Sequence, residues 1–342
     1  MKNFFLIIII LINFNKLVQA ENLFESPFYT IEFISDRIED IKIIKINEIK
    51  QKTISDIFQK ILDTEEFNKI DSYLTEDLIN IFVKNIIIND EKIIINKYKS
   101  DIKINFDKKK IINYLRENQI PYIEYFPEKI LLIVYEIDGI NNNLFTKNNN
   151  YYSFLNNNSD KYNIFQIPNL DINDRYILKK KHIMDRDLEK IINFSNKYNL
   201  NEILIVIANK NEENIQYDLF LYSGGKIFEK KLDFNQHDFY EFFEILNKEA
   251  INIWKNLNQI QNKFLNSIQC KVDYFNMQEL KEIRNKLRNV SIIKNLSIKT
   301  LSYKYIEYEI NYYGNLNILL KIFKINQLNI KQNENLCTIK LK

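Results

Sequence analysis

Residues 104–136 read INFDKKKIINYLRENQIPYIEYFPEKILLIVYE, and the rest of the chain is organised around this stretch. Asp107 is placed to cap a helix over residues 108–117. Pro121 cannot continue that helix, because its ring fixes the backbone and removes a donor. Residues 129–135 then form a short apolar run, which is typical of a strand covered on both faces. The stretch therefore predicts the end of a strand, a helix, a turn and a buried strand.

The composition is that of a globular protein, with 46% hydrophobic and 27% charged residues among 342. Domains run to roughly 100–200 residues each, so the length suggests two or three. The 48 basic and 45 acidic residues leave a net charge of +3, which gives no electrostatic reason to expect nucleic acid as a partner. We interpret the lysine runs at residues 108–110 and 179–181 as solvated faces.

Residues 1–20 have the pattern of a secretory signal peptide. Lys2 supplies a positive start, an apolar segment follows, and Val18 and Ala20 occupy the two positions that a signal peptidase reads. The alternative is an uncleaved membrane anchor, but the apolar run is about 11 residues, whereas a spanning helix needs roughly 20. No later stretch reaches that length without charges. We therefore expect cleavage after Ala20 and a soluble, exported mature protein in the periplasm.

Residues 21–105 are predicted to form an N-terminal α/β domain. Apolar residues at helical spacing favour helices, and alternating or β-branched runs favour strands. Thr75 is placed to cap the second helix. The predicted order is strands 28–34 and 41–46, helices 45–62 and 71–83, and strands 85–95 and 98–106, with a turn at 89–92.

Residues 106–266 are predicted to form a middle α/β domain in which strands, helices and a hairpin surround one sheet. The asparagine-rich segment 140–165 is interpreted as an inserted, mobile loop that buries no core. Outside the opening stretch, the predicted elements are a helix that Asp185 precedes and that runs to Tyr198, strand 201–208, the hairpin 217–222 and 226–234, and a long helix 236–266.

Residues 267–342 predict a C-terminal ferredoxin-like domain. The order of elements is β-α-β-β-α-β, the split βαβ arrangement. Its strands are predicted at 268–274, 292–301, 303–312 and 336–341, and its helices at 276–289 and 315–326. The whole chain is thus expected to be a multi-domain α+β protein.

Cys270 and Cys337 are the two cysteines of the chain. In a ferredoxin-like sheet the first and last strands are antiparallel neighbours, and both cysteines fall on the covered face. A cross-strand disulfide is therefore one prediction for an exported protein. Two buried thiols that pack as small apolar residues are the alternative.

Few residues suggest catalysis or metal binding. The two histidines, His182 and His237, lie in polar surroundings, and no zinc, phosphate-loop or nucleophile-elbow motif occurs. Asp171 and Asp174 form the densest carboxylate cluster in a predicted loop. They are read either as a calcium or substrate site or as a capping and turn motif, and they lack the glycine and terminal glutamate of a calcium loop. We expect no metal and no cofactor.

Several of these stretches resemble a bacterial family of exported proteins known as domain of unknown function 2066. The motifs that carry the resemblance are Phe106-Asp107, the Leu-x-x-x-x-Ile-Pro turn at 115–121 and the proline-led apolar strand at 127–134. Residues 167–174 are similar to the family's Pro-x-(apolar)-Asp-x-x-Asp segment. The chain departs from the family, which tends to be rich in Trp and Arg, by carrying the single tryptophan Trp254. The resemblance implies the envelope of a Gram-negative bacterium and transfers no catalytic residue.

The sequence favours a non-enzymatic periplasmic protein that binds other envelope proteins or assists envelope assembly. One alternative is an envelope hydrolase that uses Asp171 and Asp174. Another is a carrier of a small ligand or lipid, which requires a sizeable closed pocket in the middle domain. The partner, the biochemical activity and the oligomeric state do not follow from the sequence.

Overall fold

The protein is described by a computed structural model that covers residues 23–127, 129–146, 149–210, 214–224, 226–234, 238–333 and 336–341. Its class is mixed α+β, as predicted, with three sheets among these residues. The chain divides into two compact units. The first comprises the described residues of Met1–Phe58 together with Ile70–Ile112, and the second those of Gln59–Lys69 and Asn113–Lys342.

The first unit is built on a three-stranded antiparallel sheet in the order β1-β3-β2. Side chains of β3 alternate between buried and exposed, which is the period-two pattern of a sheet with one covered face. The strands are β1 (Tyr29–Ile34), β2 (Val83–Ile94) and β3 (Lys97–Phe106). The first four helices of the chain are α1 (Ile38–Ile61), α2 (Thr64–Asp71), α3 (Glu76–Phe82) and α4 (Lys108–Glu117). Most of α2 and the second half of α4 are assigned to the second unit.

Two predictions in this unit were wrong. Residues 41–46 lie inside α1 and form no strand, because Glu39 and Asp40 favour a helix start just before them and a helical stripe continues to Ile57. The predicted turn at residues 89–92 is a register irregularity within β2, where Asp90 takes a positive φ. The Thr75 cap was correct, since its side chain accepts a hydrogen bond from the backbone of Leu78 at 3.3 Å.

The opening stretch folds as predicted. Helix α4 has the predicted bounds, and the Asp107 side chain accepts the backbone N–H of Lys109 at 2.9 Å. Directly after Pro121, Tyr122 forms an isolated antiparallel β-bridge with Ile260. In this bridge the N–H of Ile260 donates to the carbonyl of Tyr122 at 2.7 Å. The apolar run then enters a strand that is buried along most of its length.

The middle sheet has the order β5-β4-β7-β8-β9, with β6 beside β4. Strands β4 and β7 are parallel, and β7, β8 and β9 form an antiparallel meander. The strands are β4 (Ile130–Asp138), β5 (Asn141–Asn143), β6 (Phe165–Gln166), β7 (Ile203–Lys210), β8 (Ile215–Ser223) and β9 (Lys226–Phe234). The helices are α5 (Asn150–Asn157), α6 (Ile172–Ile177), α7 (Lys180–Met184), α8 (Leu188–Lys197) and α9 (Phe239–Asn258).

Both faces of the middle sheet are covered, as the continuous apolar runs predicted. On one face, Ile133 and Ile205 share a core with Ile191 and Phe194 of α8. On the other, α9 buries a stripe that includes Trp254, which is fully buried. Such double coverage explains why the strands read as unbroken apolar runs and not as alternating ones.

The prediction of a coreless loop over residues 140–165 was wrong. The segment contains β5, α5 and the start of β6, and Tyr151, Tyr152 and Leu155 of α5 are buried. Asn149 caps α5, its side chain accepting the N–H of Tyr151 at 2.9 Å. The many asparagines concealed an aromatic helix whose tyrosines supply the apolar surface.

The long helix of the middle domain also ends earlier than predicted. Helix α9 stops at Asn258, and Gln259 is extended. Contacts with distant parts of the chain end the helix, because Ile260 forms the β-bridge with Tyr122 and the residues from Leu265 onward belong to the next sheet. The apolar periodicity used for the prediction could not reveal that competition.

The C-terminal sheet has the order β11-β12-β10-β14-β13. It contains one strand that was not predicted, β13, which pairs with β14. As a result β14, the last strand, lies parallel to β10, the first. The predicted antiparallel pairing of these two strands was wrong. The hairpin of β13 and β14 reverses the chain once more than a four-stranded ferredoxin-like sheet requires. The elements are β10 (Leu265–Asp273), α10 (Met277–Asn289), β11 (Ile293–Leu301), β12 (Tyr305–Tyr313), α11 (Leu316–Ile325), β13 (Leu328–Asn333) and β14 (Leu336–Leu341).

The middle and C-terminal sheets belong to the same compact unit. Lys321 of α11 donates to Glu202, which precedes β7, and to Asn258 at the end of α9, each at 3.2 Å. The Tyr125 hydroxyl also donates to Asn258, at 2.8 Å. This partly buried polar cluster joins the predicted middle and C-terminal domains.

Candidate functional site

The carboxylates singled out from the sequence, Asp171 and Asp174, form a capping box at the start of α6. The N–H of Asp174 donates to the Asp171 carboxylate at 2.8 Å, and the N–H of Asp171 donates back to Asp174 at 3.4 Å. The two side chains thus satisfy backbone donors that the first turn of a helix leaves unpaired.

Lys197 is the last residue of α8, Tyr198 follows it, and both contact the carboxylate of Asp174. We call Asp171, Asp174, Lys197 and Tyr198 the acidic network. The ammonium of Lys197 donates to Asp174 at 2.7 Å and to Asp171 at 3.1 Å. The Tyr198 hydroxyl donates to Asp174 at 2.5 Å. Asp174 is fully buried, and both of its carboxylate oxygens accept hydrogen bonds. No oxygen of Asp174 is directed to solvent.

The titration behaviour of the acidic network matches a structural role. The backbone N–H of Asp174, and then Lys197, lower the pKa of Asp171. Burial opposes the charge of Lys197, but its hydrogen bonds to both carboxylates raise its pKa overall. Burial and the bond to Asp174 raise the pKa of Tyr198 to about 12. All three groups are held in the protonation state that the hydrogen bonds require at neutral pH, which favours the capping interpretation over catalysis.

Cys270 and Cys337 lie directly opposite each other on β10 and β14, with Cα atoms 4.5 Å apart. Both side chains are buried, and their sulfur atoms are placed as a disulfide. This separation lies within the range of natural disulfides. The pairing arises from parallel strands and not from the antiparallel pair that the sequence suggested. Oxidation of the two thiols remains a proposal.

The other predicted residues add no chemistry. His182 accepts the backbone N–H of Lys179 at 3.2 Å, and His237 and the signal-peptide segment with Ala20 lie outside the described residues. No group of potential metal ligands occurs within the described part of the chain. Among the same residues, no helix combines the length and apolar character needed to cross a bilayer.

A cavity of about 230 Å³ opens at the carboxyl ends of β4 and β7. Its wall includes Glu136, Lys210 and the tyrosines 151 and 217, whose hydroxyls lie 3.0 Å apart. Burial raises the pKa of both tyrosines, so both are protonated at neutral pH. The volume is smaller than the roughly 300–1,000 Å³ of typical ligand pockets. This cavity does not supply the closed lipid-sized pocket that the carrier alternative requires.

Large apolar side chains project from two neighbouring loops at one end of the C-terminal sheet. We call them the apolar tip: Phe275 and Met277 where β10 leads into α10, and Leu301 and Tyr303 where β11 leads into β12. Met277 is the first residue of α10, and Leu301 is the last residue of β11. Phe275 is 97% exposed and Tyr303 92%, while Met277 and Leu301 are each 71% exposed. Exposed apolar residues scattered singly need no explanation, but four on adjacent loops suggest an interaction surface.

Hydrogen bonds hold the two loops of the apolar tip together. The Tyr274 hydroxyl donates to the carbonyl of Ser302 at 3.1 Å, and the backbone N–H of Tyr274 donates to the carbonyl of Lys304 at 3.4 Å. Asn276 caps α10, and the Glu279 carboxylate accepts the N–H of Phe275 at 2.7 Å. The exposed rings are therefore presented by a supported backbone.

The sequence analysis missed the apolar tip. Its residues are about 25 positions apart in the chain and meet because β10 and β11 both pair with β12. One signal was present, since Phe275 and Met277 lie at the predicted junction of a strand and a helix, where polar turn and capping residues are usual.

No family model matches the sequence, and no curated protein matches it. Among solved structures, the C-terminal domain of LpoB from Salmonella enterica is similar at 15% identity, covering 33% of this chain and 86% of that one, with a TM-score of 0.23. The resemblance to domain of unknown function 2066 stays a prediction.

Proposed function

We propose that the protein is exported to the periplasm of a Gram-negative bacterium and acts there by binding another envelope protein through the apolar tip. The location rests on the signal-peptide pattern of residues 1–20 and on the motifs shared with an exported family. The binding function rests on one observation, the four exposed apolar side chains on two supported loops. The acidic network supports the non-enzymatic interpretation, because Asp171 and Asp174 are already hydrogen-bonded within the protein.

Both signs of charge surround the apolar tip. Lys271 and Lys340 each pair with Asp273 at 3.3 Å, and the exposed Lys304 directly follows Tyr303. Attachment to an anionic bilayer normally combines apolar side chains with surplus positive charge. We therefore base the protein partner on the apolar side chains alone, and the vesicle assay below tests the lipid alternative.

The location is tested by fractionating cells that express the full chain and sequencing the N-terminus of the mature protein. We expect a periplasmic protein that begins at Glu21. A mature N-terminus at Met1, or recovery with the cytoplasm, would contradict the proposed export.

The partner surface is tested with a photo-crosslinking amino acid at Phe275 or at Tyr303 in living cells. The matched control is the same probe at Ile140, which is 98% exposed in a turn of the middle sheet. We expect one discrete partner from both tip positions and none from the control. The purified partner should then bind the wild-type chain at least about tenfold more tightly than Phe275→Ser, a loss typical of one apolar anchor. Equal crosslinking at Ile140, or binding unaffected by Phe275→Ser, counts against the tip, and Phe275-dependent pelleting with lipid vesicles would assign it to a membrane surface instead.

A further inference from the structure

The C-terminal sheet has a cleft of its own, which lies between α10 and the edge strand β11. Its volume is about 250 Å³. Four of the polar residues that line it define what we call the basic cleft: Arg284 and Arg288 of α10, Lys294 of β11 and Tyr308 of β12. Tyr308 is in register with Ile298 on β11 and Cys270 on β10, so these three side chains share one face of the sheet.

In the part of the chain that the structure describes, the cations of the basic cleft have no protein partner. Within the described residues, none of Arg284, Arg288 and Lys294 forms an ion pair or a side-chain hydrogen bond. Neighbouring lysines do, since Lys286 pairs with Glu282 at 3.6 Å and Lys299 with Glu309 at 3.0 Å. The two arginines are four residues apart on one helix face, where like charges repel. Positive charge is therefore concentrated at this cleft and not neutralised locally.

The Tyr308 hydroxyl is a second, independent observation. Tyr308 is 2% exposed, and its hydroxyl has no hydrogen-bond partner among the described residues. Buried hydroxyls nearly always have a partner, so an orphan that lines a cleft indicates a missing acceptor. Burial raises the pKa of Tyr308, and the positive charges of Arg284 and Arg288 partly oppose that shift. At neutral pH the group is a donor.

We propose that the basic cleft binds the phosphate group of a small phosphate monoester. Arg284 and Arg288 would pair with the phosphate oxygens, Lys294 would add charge, and Tyr308 would donate the remaining hydrogen bond. A phosphate monoester carries about two negative charges at neutral pH, which suits three cations better than a single carboxylate does. Arginine also matches phosphate geometry with paired donors.

The remaining wall of the cleft indicates a substituent on the phosphate. Leu296 and Ile298 contribute apolar surface beside the cations. The cleft is also larger than phosphate alone requires, so an organic group attached to the phosphate has room to lie against these side chains. This inference does not depend on the apolar tip or on a protein partner.

The test is calorimetric titration of the full mature chain, at low salt, with phenyl phosphate and with inorganic phosphate. We expect both to bind, with phenyl phosphate the tighter ligand. Arg284→Ala and Arg288→Ala should each weaken binding at least about tenfold, because each removes a charge-assisted pair. Tyr308→Phe, which keeps the ring and its packing, should weaken binding about fivefold or more.

The matched control is Lys281→Ala, which removes a positive charge from the exposed surface of α10 without touching the basic cleft. It should leave affinity within about twofold of the wild type, because Lys281 does not line the cleft and can act on a bound phosphate only through screening solvent. Vesicles that contain phosphatidic acid distinguish a lipid headgroup from a free ester: pelleting that Arg284→Ala abolishes would identify a lipid source for the same chemistry. Absence of binding by both soluble probes, or equal losses in Lys281→Ala and Arg284→Ala, would overturn the proposal.

Discussion

The second compact unit contains two clusters of charged residues that differ in whether their charges are paired. In the acidic network, Asp174 is buried and accepts hydrogen bonds from Lys197 and Tyr198, so the cluster is closed on itself. In the basic cleft, Arg284 and Arg288 have no ion pair among the described residues, and the buried hydroxyl of Tyr308 has no acceptor. Density of charge in the sequence identified the first cluster. Unsatisfied groups in the folded chain identify the second, and unsatisfied groups are the better sign of a ligand.

The largest effect is expected from the proposed bond between Cys270 and Cys337, which face each other on the neighbouring strands β10 and β14. A bond between Cys270 and Cys337 closes a loop of 67 residues, for which the chain-entropy model gives about 4 kcal/mol of stabilisation. Reduction, or the double substitution to alanine, should lower the urea midpoint accordingly. Thiol titration of the denatured, unreduced protein provides the chemical check, and two free thiols would disprove the bond.

The acidic network should be the more sensitive of the two clusters to loss of one member. Asp174→Ala leaves the Lys197 ammonium and the Tyr198 hydroxyl without their acceptor, and we expect a loss of about 3 kcal/mol in unfolding free energy. Asn173→Ala, an exposed neighbour on the same helix, is the control and should change stability by less than about 0.5 kcal/mol. Urea unfolding of both variants makes the measurement, and similar midpoints would mean that the network contributes nothing.

The basic cleft should respond in the opposite direction. Tyr308→Phe removes a buried hydroxyl that has no acceptor, so the ligand-free protein should gain about 1 kcal/mol in unfolding free energy. Tyr303→Phe removes a hydroxyl from a ring that is 92% exposed, so it should have no effect. Thermal unfolding without phosphate provides the comparison. Destabilisation by Tyr308→Phe would show that the hydroxyl already has a structural partner.

The smallest effect is expected in the loss of stability at acid pH, to which the Asp171 carboxylate contributes. The folded pKa of Asp171 is lowered from its ordinary value of 3.8, so its contribution to stability is complete above that value and is lost as pH falls through the lower, folded pKa. Asp171→Asn should therefore flatten the acid limb of the stability curve below about pH 4. Arg284→Ala removes no carboxylate and should keep the wild-type slope. Equal acid slopes in the wild type, Asp171→Asn and Arg284→Ala would contradict a lowered pKa of Asp171 in the folded protein.

The fold was predictable wherever local signals agreed with each other. Helix α4 has the bounds expected from Asp107 and the turn at Pro121, and the buried strands β4 and β7 begin within two residues of the expected positions. Failures occurred where composition conflicted with packing. Isoleucine-rich residues 41–46 looked like a strand but lie in a helix, and asparagine-rich residues 140–165 concealed the buried tyrosines of α5.

For Asp171 and Asp174, the structure shows the capping motif, which was one of the two alternatives that the sequence left open. Asp171 and Asp174 do lie together, since three-residue spacing at a helix start brings a capping pair into contact. Lys197 and Tyr198 could not be assigned to them from the sequence, because that contact depends on how α6 and α8 pack. Arg284 and Lys294 likewise belong to an amphipathic helix and a strand whose proximity the one-dimensional pattern does not contain.

The sequence by itself determined the mixed α+β class, most helix and strand positions and the pairing of adjacent hairpin strands, because these depend on short-range periodicity, caps and turns. Tertiary structure alone decided that β14 runs parallel to β10, that α9 ends at Asn258, and which charges are neutralised. Those outcomes depend on groups far apart in the chain that compete for the same partner. A closed acidic network and an open basic cleft use the same kinds of residues, and only the fold distinguishes them.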